Sequence, residues 1–210
     1  VIMYRRFFKR LIDIVGAIIL LPFVLLEIIV LAPIIWLTDR GPVFYNANRV
    51  GKGYKHFKMF KLSSIYVNSP DLKNPDGSTF NRENDPRVTP IGKFMRKTSL
   101  DEFPQFLNVL IGDMSFIGPR PKLYCPEKYQ DGLPEYMQKS FMVKPGVTGY
   151  AQAYYRNSIT NEEKYMWDGY YAENVSFVMD VKIIFKTISS VLLRKNINTA
   201  QSYKNSQQNQ

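Results

Sequence analysis

A long apolar segment near the start of the chain constrains the fold more than any other feature. From Leu11 to Leu37 the sequence reads LIDIVGAIILLPFVLLEIIVLAPIIWL, in which only Asp13 and Glu27 are charged. The run is too apolar for a surface helix and long enough to reach a lipid bilayer. No small-residue cleavage site follows it, and it exceeds the core of a secretory signal peptide. The segment therefore predicts a helix that enters a membrane.

Three details favour a re-entrant helix over a plain span. Glu27 limits the uncharged block before it to residues 14–26, about 20 Å of helix against a hydrocarbon core of about 30 Å. Pro22 removes a helical hydrogen bond, so a break is expected near it. Both flanks are basic, which draws both ends to the cytoplasmic face; the residues are Arg5, Arg6, Lys9, Arg10, Arg40, Arg49, Lys52, Lys55, Lys58 and Lys61. A single tilted, Pro-kinked span is the alternative.

The composition changes after Thr38, where Gly, Pro, Asn and charged residues appear. We therefore expect residues 1–40 to form the membrane helix, 41–198 a compact cytoplasmic domain, and 199–210 a disordered polar tail. Turn-forming residues predict a long loop, and apolar periodicity predicts helices, one of them amphipathic and able to lie at the membrane interface; the loop is 67–90 and the helices are 91–98, 100–111 and 176–195. The predicted fold class is mainly α with small β elements.

Lys and Arg total 28 against 18 Asp and Glu, so the net charge is +10 and the partner should be anionic. The candidates are nucleic acid, a membrane surface and a phosphorylated substrate. No helix-turn-helix, RNA-recognition or zinc module is visible, which argues against nucleic acid. The single cysteine, Cys125, excludes a disulfide framework, and the single histidine, His56, argues against a His-based triad or metal site.

Asp101 and Glu102 are the strongest candidates for chemistry. Ser99-x-x-Glu102 ahead of an apolar stretch is typical of a capping box, which would place both acids in the first turn of a helix. Pro104 fits only a first turn, so the helix start is expected one or two residues later than the Ser99 pattern indicates. Such a position favours an ionised, nucleophilic Asp101, and adjacent carboxylates suit a Mg²⁺ ion that also binds phosphate oxygens.

Basic residues near this pair suit phosphate recognition. Arg96 precedes the acids, and Arg120 lies between two prolines in GPRP, where a stiff backbone favours bidentate contacts. Lys144 opens a tight turn in KPGVTG and is the third candidate phosphate ligand. Asp168 lies in an aromatic-rich run, where core packing is the alternative to a functional role.

Taken in order, these segments resemble the bacterial sugar transferases, the monotopic phosphoglycosyl transferases that start glycan assembly on a polyprenol carrier. The resemblance covers residues 3–195 and is carried by FKRLIDIVGA, GPVFYNANRVG, SLDEFPQFLNVLIGDMSFIGPRP, KPGVTGYAQ and WDGYYAENVSFVMDVKII. The match is to the short form of the family, a lone catalytic domain.

The resemblance implies a Mg²⁺-dependent reaction in two steps at the inner membrane. Asp101 would attack the β-phosphate of a UDP-sugar, release UMP and carry the phosphosugar, which undecaprenyl phosphate would then take. Glu102 would help hold Mg²⁺ with Asp101, Arg96 and Arg120 would bind phosphate, and Asp168 would be a functional acid. The implied helix enters a single leaflet and is broken at the proline that Pro22 matches.

One position departs from the family pattern, because Ser63 stands where relatives carry a basic residue. Loop 67–90 is where we expect selectivity among sugars, which the sequence itself does not fix, and it does not fix an oligomeric state. The alternative function is a non-catalytic, basic membrane-surface protein that binds lipids or organises other enzymes, but this assigns no purpose to Asp101, Glu102 and Arg120.

Overall fold

A computed structural model describes residues 2–70, 72, 85–123, 132–156 and 158–192. Most of loop 67–90 and the whole polar tail 199–210 lie outside the described residues. The predicted fold class is confirmed, because helices dominate and the strands are short. The helices are α1 (Lys9–Asp39), α2 (Pro90–Thr98), α3 (Gln105–Ile111), α4 (Glu135–Gln138), α5 (Tyr150–Tyr154), α6 (Asn161–Glu173) and α7 (Phe177–Leu192).

In the part of the chain that the structure describes, five strands form two small sheets. They are β1 (Ala47–Val50), β2 (His56–Met59), β3 (Ser115–Ile117), β4 (Lys122–Leu123) and β5 (Gly146–Thr148). The first sheet has the order β2-β1-β4 and is antiparallel, with Ala47 opposite Met59 and Val50 opposite Lys122. The second pairs β3 with β5 in parallel, which carries the segment after Ile117 alongside the KPG turn.

Helix α1 runs without interruption through both of its prolines, Pro22 and Pro33. The helix assignment therefore continues through Pro22, and the break expected near this residue stays a prediction. Proline removes only one hydrogen bond from the ladder, and a long apolar helix keeps the others because no alternative partner is available in an apolar setting. The helix ends at Asp39, where Arg40 takes a left-handed conformation. The re-entrant course of α1 stays a prediction.

One face of α1 packs against the rest of the protein along the whole helix. Its buried positions are spaced by four or seven residues, as expected for a single helical face; they are Asp13, Ala17, Val24, Leu31 and Ile35. The opposite face exposes large apolar side chains such as Ile19, Phe23 and Leu37. Within the part of the chain that the structure describes, Tyr4–Asp39 is the one helix long and apolar enough to cross a membrane.

Asp13 on α1 is held by strand β3 and not by an ion pair with the basic residues a turn before it. Its Oδ1 instead accepts hydrogen bonds from Ser115 Oγ and the Phe116 amide, both at 3.0 Å. Lys9 turns away to Asp180, with 2.7 Å between Nζ and Oδ2. Asp13 lies on the buried face of α1, where strand β3 contacts it and donates two hydrogen bonds to its carboxylate.

Helix α7 confirms the predicted C-terminal helix and is apolar on two faces. Asp180 and Ile183 are buried against the domain. The face turned away from the domain exposes further apolar side chains, namely Phe177, Val178, Ile184, Phe185 and Ile188. The ring of Tyr4, in the π-helical turn Tyr4–Phe8 before α1, contacts that of Phe177 edge to face at 5.8 Å. The start of α1 and the start of α7 therefore share one apolar surface.

Candidate active site

The two candidate acids lie in a short connection between α2 and α3. Asp101 and Glu102 occupy a 3₁₀ turn, Leu100–Glu102, and α3 begins only at Gln105. The capping box predicted for Ser99 is wrong, because this residue is left-handed (φ 61°), ends helix α2 and makes no side-chain cap hydrogen bond. The acids are therefore held by their side-chain partners and not by a helix N-terminus.

Lys61 bridges the two acids. Its Nζ lies 2.7 Å from Oδ2 of Asp101 and 3.3 Å from Oε1 of Glu102. Asp101 is buried, and its backbone carbonyl accepts a hydrogen bond from the Leu62 amide at 3.0 Å, which fixes the segment after β2 beside the acids. The ion pair occupies Oδ2, and no described residue bonds Oδ1. Oδ1 is thus the oxygen available to a substrate.

Cations around Glu102 keep it ionised. Burial by itself would raise the pKa of the Glu102 carboxyl, but Lys61 and Arg120 outweigh burial and hold this pKa below its usual range. Nη2 of Arg120 lies 3.9 Å from Oε1 of Glu102. The Arg120 side chain is 57% exposed, so it can turn toward a bound phosphate while it stays close to the two acids.

Arg96 reaches the same region from α2. Its Nε donates a hydrogen bond to Ser64 Oγ at 2.9 Å. Burial lowers the pKa of Arg96, while the charges of Asp101 and Asp85 oppose this effect. The guanidinium therefore stays protonated near Asp101. Its role as a phosphate ligand stays a prediction.

Asp168, on α6, lies within electrostatic range of Arg120. It is buried, with Oδ2 at 3.2 Å from Nζ of Lys122. Burial raises the pKa of Asp168, and the charges of Lys122 and Arg120 only partly counter it. The Lys122 ammonium also lies 4.2 Å from the centre of the Tyr165 ring. Arg120 and Lys122 thus connect Glu102 with Asp168, whose carboxyl retains its proton more readily than that of an ordinary aspartate.

Lys144 lies elsewhere. A Cβ added at Gly112 would lie 3.3 Å from Lys144 Nζ and 3.2 Å from Nη2 of Arg10, so both cations meet at the end of α3. Arg10 donates hydrogen bonds to the last carbonyls of that helix, Val109 (2.6 Å) and Leu110 (2.9 Å). The seven residues of α3, about 10 Å of helix, separate this end from the segment that carries the acids. The described contacts place Lys144 at a helix C-terminus, where cations are favourable.

The acids fit a magnesium ion. Mg²⁺ is usually bound by one or two carboxylates together with substrate phosphates and retained waters. Asp101 and Glu102 supply two carboxylates on one side, with Glu102 still 30% exposed. Among the described residues, no three acidic, histidine or cysteine side chains converge closely enough to hold a metal unaided. The donor set therefore suits an ion that the substrate phosphates help to hold.

Two residues of the site, Lys61 and Lys122, were not among the sequence-predicted site residues. Lys122 follows Arg120 by two positions in extended chain, so both side chains point to one face, and this spacing was the available signal. Lys61 lies two residues after the end of strand β2, forty positions before Asp101 in the sequence. No local pattern links the two positions, and only the fold brings them together.

Comparison with known proteins places the chain among sugar transferases. The model of the family described as "Bacterial sugar transferase" matches residues 4–194. The chain is 40% identical over 190 residues to the UDP-N-acetylgalactosamine-undecaprenyl-phosphate N-acetylgalactosaminephosphotransferase of Aeromonas hydrophila, covering 89% of this chain and 44% of that protein. It is 38% identical over 207 residues to the undecaprenyl-phosphate galactose phosphotransferase of Salmonella typhimurium, covering 90% and 41%.

A third relative, the uncharacterized sugar transferase EpsL of Bacillus subtilis, is similar in extent as well as in sequence. It is 38% identical over 192 residues, covering 90% of this chain and 89% of EpsL. By contrast, the chain spans about two fifths of the length of the Aeromonas and Salmonella proteins. The family match over residues 4–194 spans every candidate site residue described above.

Proposed function

Because the chain belongs to the bacterial sugar transferase family, we propose that it transfers a phosphosugar from a UDP-sugar to undecaprenyl phosphate and releases UMP. The observation that carries this proposal is the buried Asp101, held by Lys61 through one oxygen, with Glu102 and Arg120 beside it. Phosphoryl transfer depends mainly on positioning and charge neutralisation, and this cluster supplies both. The names of the two relatives specify different sugars, N-acetylgalactosamine and galactose, so the comparison does not identify the sugar of this chain's donor.

In the first step, Oδ1 of Asp101 attacks the β-phosphorus of the UDP-sugar. The bond from that phosphorus to the oxygen bridging the two phosphates breaks, and UMP leaves with this oxygen and the bond's electron pair. The phosphosugar stays on Asp101 as an acyl phosphate. The Lys61 ammonium holds the other carboxylate oxygen, which orients the nucleophile. Arg120 and Arg96 supply positive charge for the phosphate oxygens.

In the second step, an oxygen of undecaprenyl phosphate attacks the same phosphorus. The bond between phosphorus and Asp101 breaks, which restores the carboxylate and yields a diphosphate-linked lipid sugar. Asp168 is the acid–base group for the acceptor phosphate in this proposal. Its support is the raised pKa of Asp168, which leaves it able to exchange a proton closer to neutral pH than an ordinary aspartate.

Asp101 and Glu102 would hold Mg²⁺, with the phosphates of the donor completing its ligands. The ion supplies charge neutralisation for the diphosphate and its leaving oxygen. Lys61 holds the two carboxylates together and keeps Glu102 ionised, the state in which it binds a cation. Arg120, being largely exposed, approaches the same phosphates from the side of the GPRP segment.

The packing of α1 supports a position in a single leaflet, with the domain on the cytoplasmic face of the inner membrane. At one end, Arg10 binds the C-terminus of α3, and at the other Oδ2 of Asp39 accepts from the Val67 amide at 2.7 Å. A helix standing across the bilayer would carry one end about 30 Å away from the domain. Contacts at both ends favour a course that stays on one side, as do the basic flanks.

The proposal is tested by UMP release from purified protein in lipid nanodiscs containing undecaprenyl phosphate. UDP-galactose, UDP-glucose and UDP-N-acetylgalactosamine would be compared with and without Mg²⁺. We expect one of them to give Mg²⁺-dependent UMP release that Asp101→Asn abolishes. UMP release that Asp101→Asn leaves at the wild-type rate would contradict the assignment of the nucleophile. Binding of lipid without UMP release from any donor would favour the scaffolding alternative.

A further inference from the structure

Glu27 faces the candidate active site from the membrane helix. It lies three residues after Val24 and four before Leu31, so it shares the face of α1 that packs on the domain. In the next turn, Leu31 and its neighbour Ile28 pack in one cluster with Leu100, the residue before Asp101. This packing brings the Glu27 carboxylate within electrostatic range of Asp101.

The Glu27 carboxylate is buried without a partner. Both of its oxygens are shielded from solvent, and neither accepts a hydrogen bond from any residue that the structure describes. Asp13 lies on the same face of the same helix, two heptads earlier, and its carboxylate accepts two hydrogen bonds from β3. The contrast shows that this fold does supply partners to a buried acid on α1 where the acid is structural.

An isolated buried carboxylate is costly, and in a membrane helix such a group usually marks a functional site. The charge that acts on Glu27 is the like charge of Asp101, which adds to the cost. Lys61 does not relieve it, because its ammonium is bound between Asp101 and Glu102. A further positive charge bound beside Asp101 would offset the buried negative charge of Glu27.

We propose that Glu27 is an outer ligand of the divalent cation at Asp101 and Glu102, accepting hydrogen bonds from its bound water. This inference rests on the proposed function, which supplies the cation. Outer coordination follows from two facts: three metal-ligating side chains do not converge in the described part of the chain, and Mg²⁺ retains several waters in protein sites. Glu27 would thereby position the cation and connect the membrane helix to the chemistry.

The test is direct titration of Mn²⁺, a paramagnetic substitute for Mg²⁺, into the full chain in nanodiscs, followed by electron paramagnetic resonance. Two variants separate the roles: Glu27→Gln keeps the shape and removes the charge, and Glu27→Leu removes both. Loss of an outer-shell partner typically weakens metal affinity by about 10- to 100-fold. We expect both variants to show a weakening in this range, whereas Glu162→Gln, an exposed acid on α6, binds Mn²⁺ like the wild type.

Thermal unfolding without metal provides the second measurement. Because Glu27 is unpaired there, we expect Glu27→Leu to unfold at the same or a higher temperature than the wild type while its Mn²⁺ affinity falls. Unchanged Mn²⁺ affinity in both Glu27 variants, with affinity lost in Asp101→Asn, would overturn the inference and leave the proposed function intact. Full UMP release by the wild type in a metal chelator would instead remove the cation from the proposed function.

Discussion

The ammonium of Lys61 lies 2.7 Å from Oδ2 of Asp101, the residue proposed to carry the phosphosugar. The same ammonium also contacts Glu102, so one cation neutralises two adjacent carboxylates. A divalent cation would bind the same pair of acids and would share them with Lys61. The stability of the site and its reactivity therefore depend on the same ion pairs.

Replacing Lys61 is expected to destabilise the protein and to slow turnover. In Lys61→Met the buried Asp101 carboxylate loses its partner, a loss that costs about 3 kcal/mol in the free energy of unfolding. Mg²⁺ should restore part of this stability, because it neutralises the same acids. Thermal unfolding with and without Mg²⁺, together with UMP release, measures both effects.

The control for that experiment is Lys58→Met, which removes an exposed lysine from strand β2. It should leave unfolding and UMP release unchanged. If Lys61→Met also matched the wild type in both measurements, Lys61 would have no role in holding the acids.

Asp168→Asn is expected to stabilise the protein at neutral pH while it lowers activity. Burial raises the pKa of Asp168, so the folded state binds its proton more tightly than the unfolded state does. The wild type therefore loses stability as the pH rises from the ordinary aspartate value of about 4 through the raised pKa. Asparagine does not titrate, so the variant's advantage should grow over this range and vanish below it.

Unfolding curves at several pH values measure the expected gain in stability, and UMP release at neutral pH measures the expected loss of activity. A variant that is less stable than the wild type at pH 7 would show that the pair with Lys122 outweighs the cost of burial. A stable variant with full activity would remove Asp168 from the proposed acid–base role.

Asp180 is expected to hold the membrane helix to the end of the domain. Its carboxylate accepts hydrogen bonds from Tyr4 (2.6 Å), Lys9 (2.7 Å) and Tyr171 (2.7 Å). Asp180→Asn removes the charge that pairs with Lys9, and we expect a loss of about 3 kcal/mol in the free energy of unfolding. Chemical denaturation in detergent measures this loss, with Glu162→Gln as the surface control. A change smaller than about 0.5 kcal/mol, the range typical of surface substitutions, would contradict a role of Asp180 in holding α1 to the domain.

Gly118, the first residue of the GPRP segment, is expected to tolerate no side chain. A Cβ there would lie 2.3 Å from the Lys144 carbonyl oxygen and 2.8 Å from the Gly146 amide nitrogen, both backbone atoms. Gly118→Ala should therefore separate the GPRP segment from the KPG turn, cost about 3 kcal/mol and misplace Arg120. Urea denaturation and UMP release report the two effects.

Gly53→Ala is the matched control for Gly118→Ala. No atom lies within 4 Å of a Cβ at Gly53, although its φ is +66°. The backbone preference alone should cost about 1 kcal/mol and leave activity unchanged. Equal effects of the two alanines would show that the close approach at Gly118 is not what matters.

Much of the architecture could be predicted because it depends on strong local patterns. The composition of α1 and the helical periodicity of α7 each specify their element within their own residues. The continuity of α1 through Pro22 could not be predicted in this way. A proline in the sequence indicates one lost hydrogen bond, but it does not show whether the neighbouring hydrogen bonds hold the helix together. Ser99 failed for a related reason: the pattern suits an N-cap, but α2 ends there in a left-handed residue.

The residues of the candidate site also differ in whether a local sequence pattern could predict them. Asp101, Glu102 and Arg120 stand in one continuous motif, and the structure brings them together. Lys61 and Glu27 come from distant parts of the chain and meet these acids only through tertiary packing. Lys144 entered as a phosphate ligand by sequence, and its described contacts are with the C-terminus of α3.

The most direct test of the account is the mass of the intact protein after incubation with a UDP-sugar and Mg²⁺, without undecaprenyl phosphate. We predict a mass increase of one phosphosugar that disappears when undecaprenyl phosphate is added. The increase should be absent in Asp101→Asn and present in Asp113→Asn. An adduct that persists in Asp101→Asn, or UMP release by the wild type with no adduct at any time, would contradict the covalent role of Asp101.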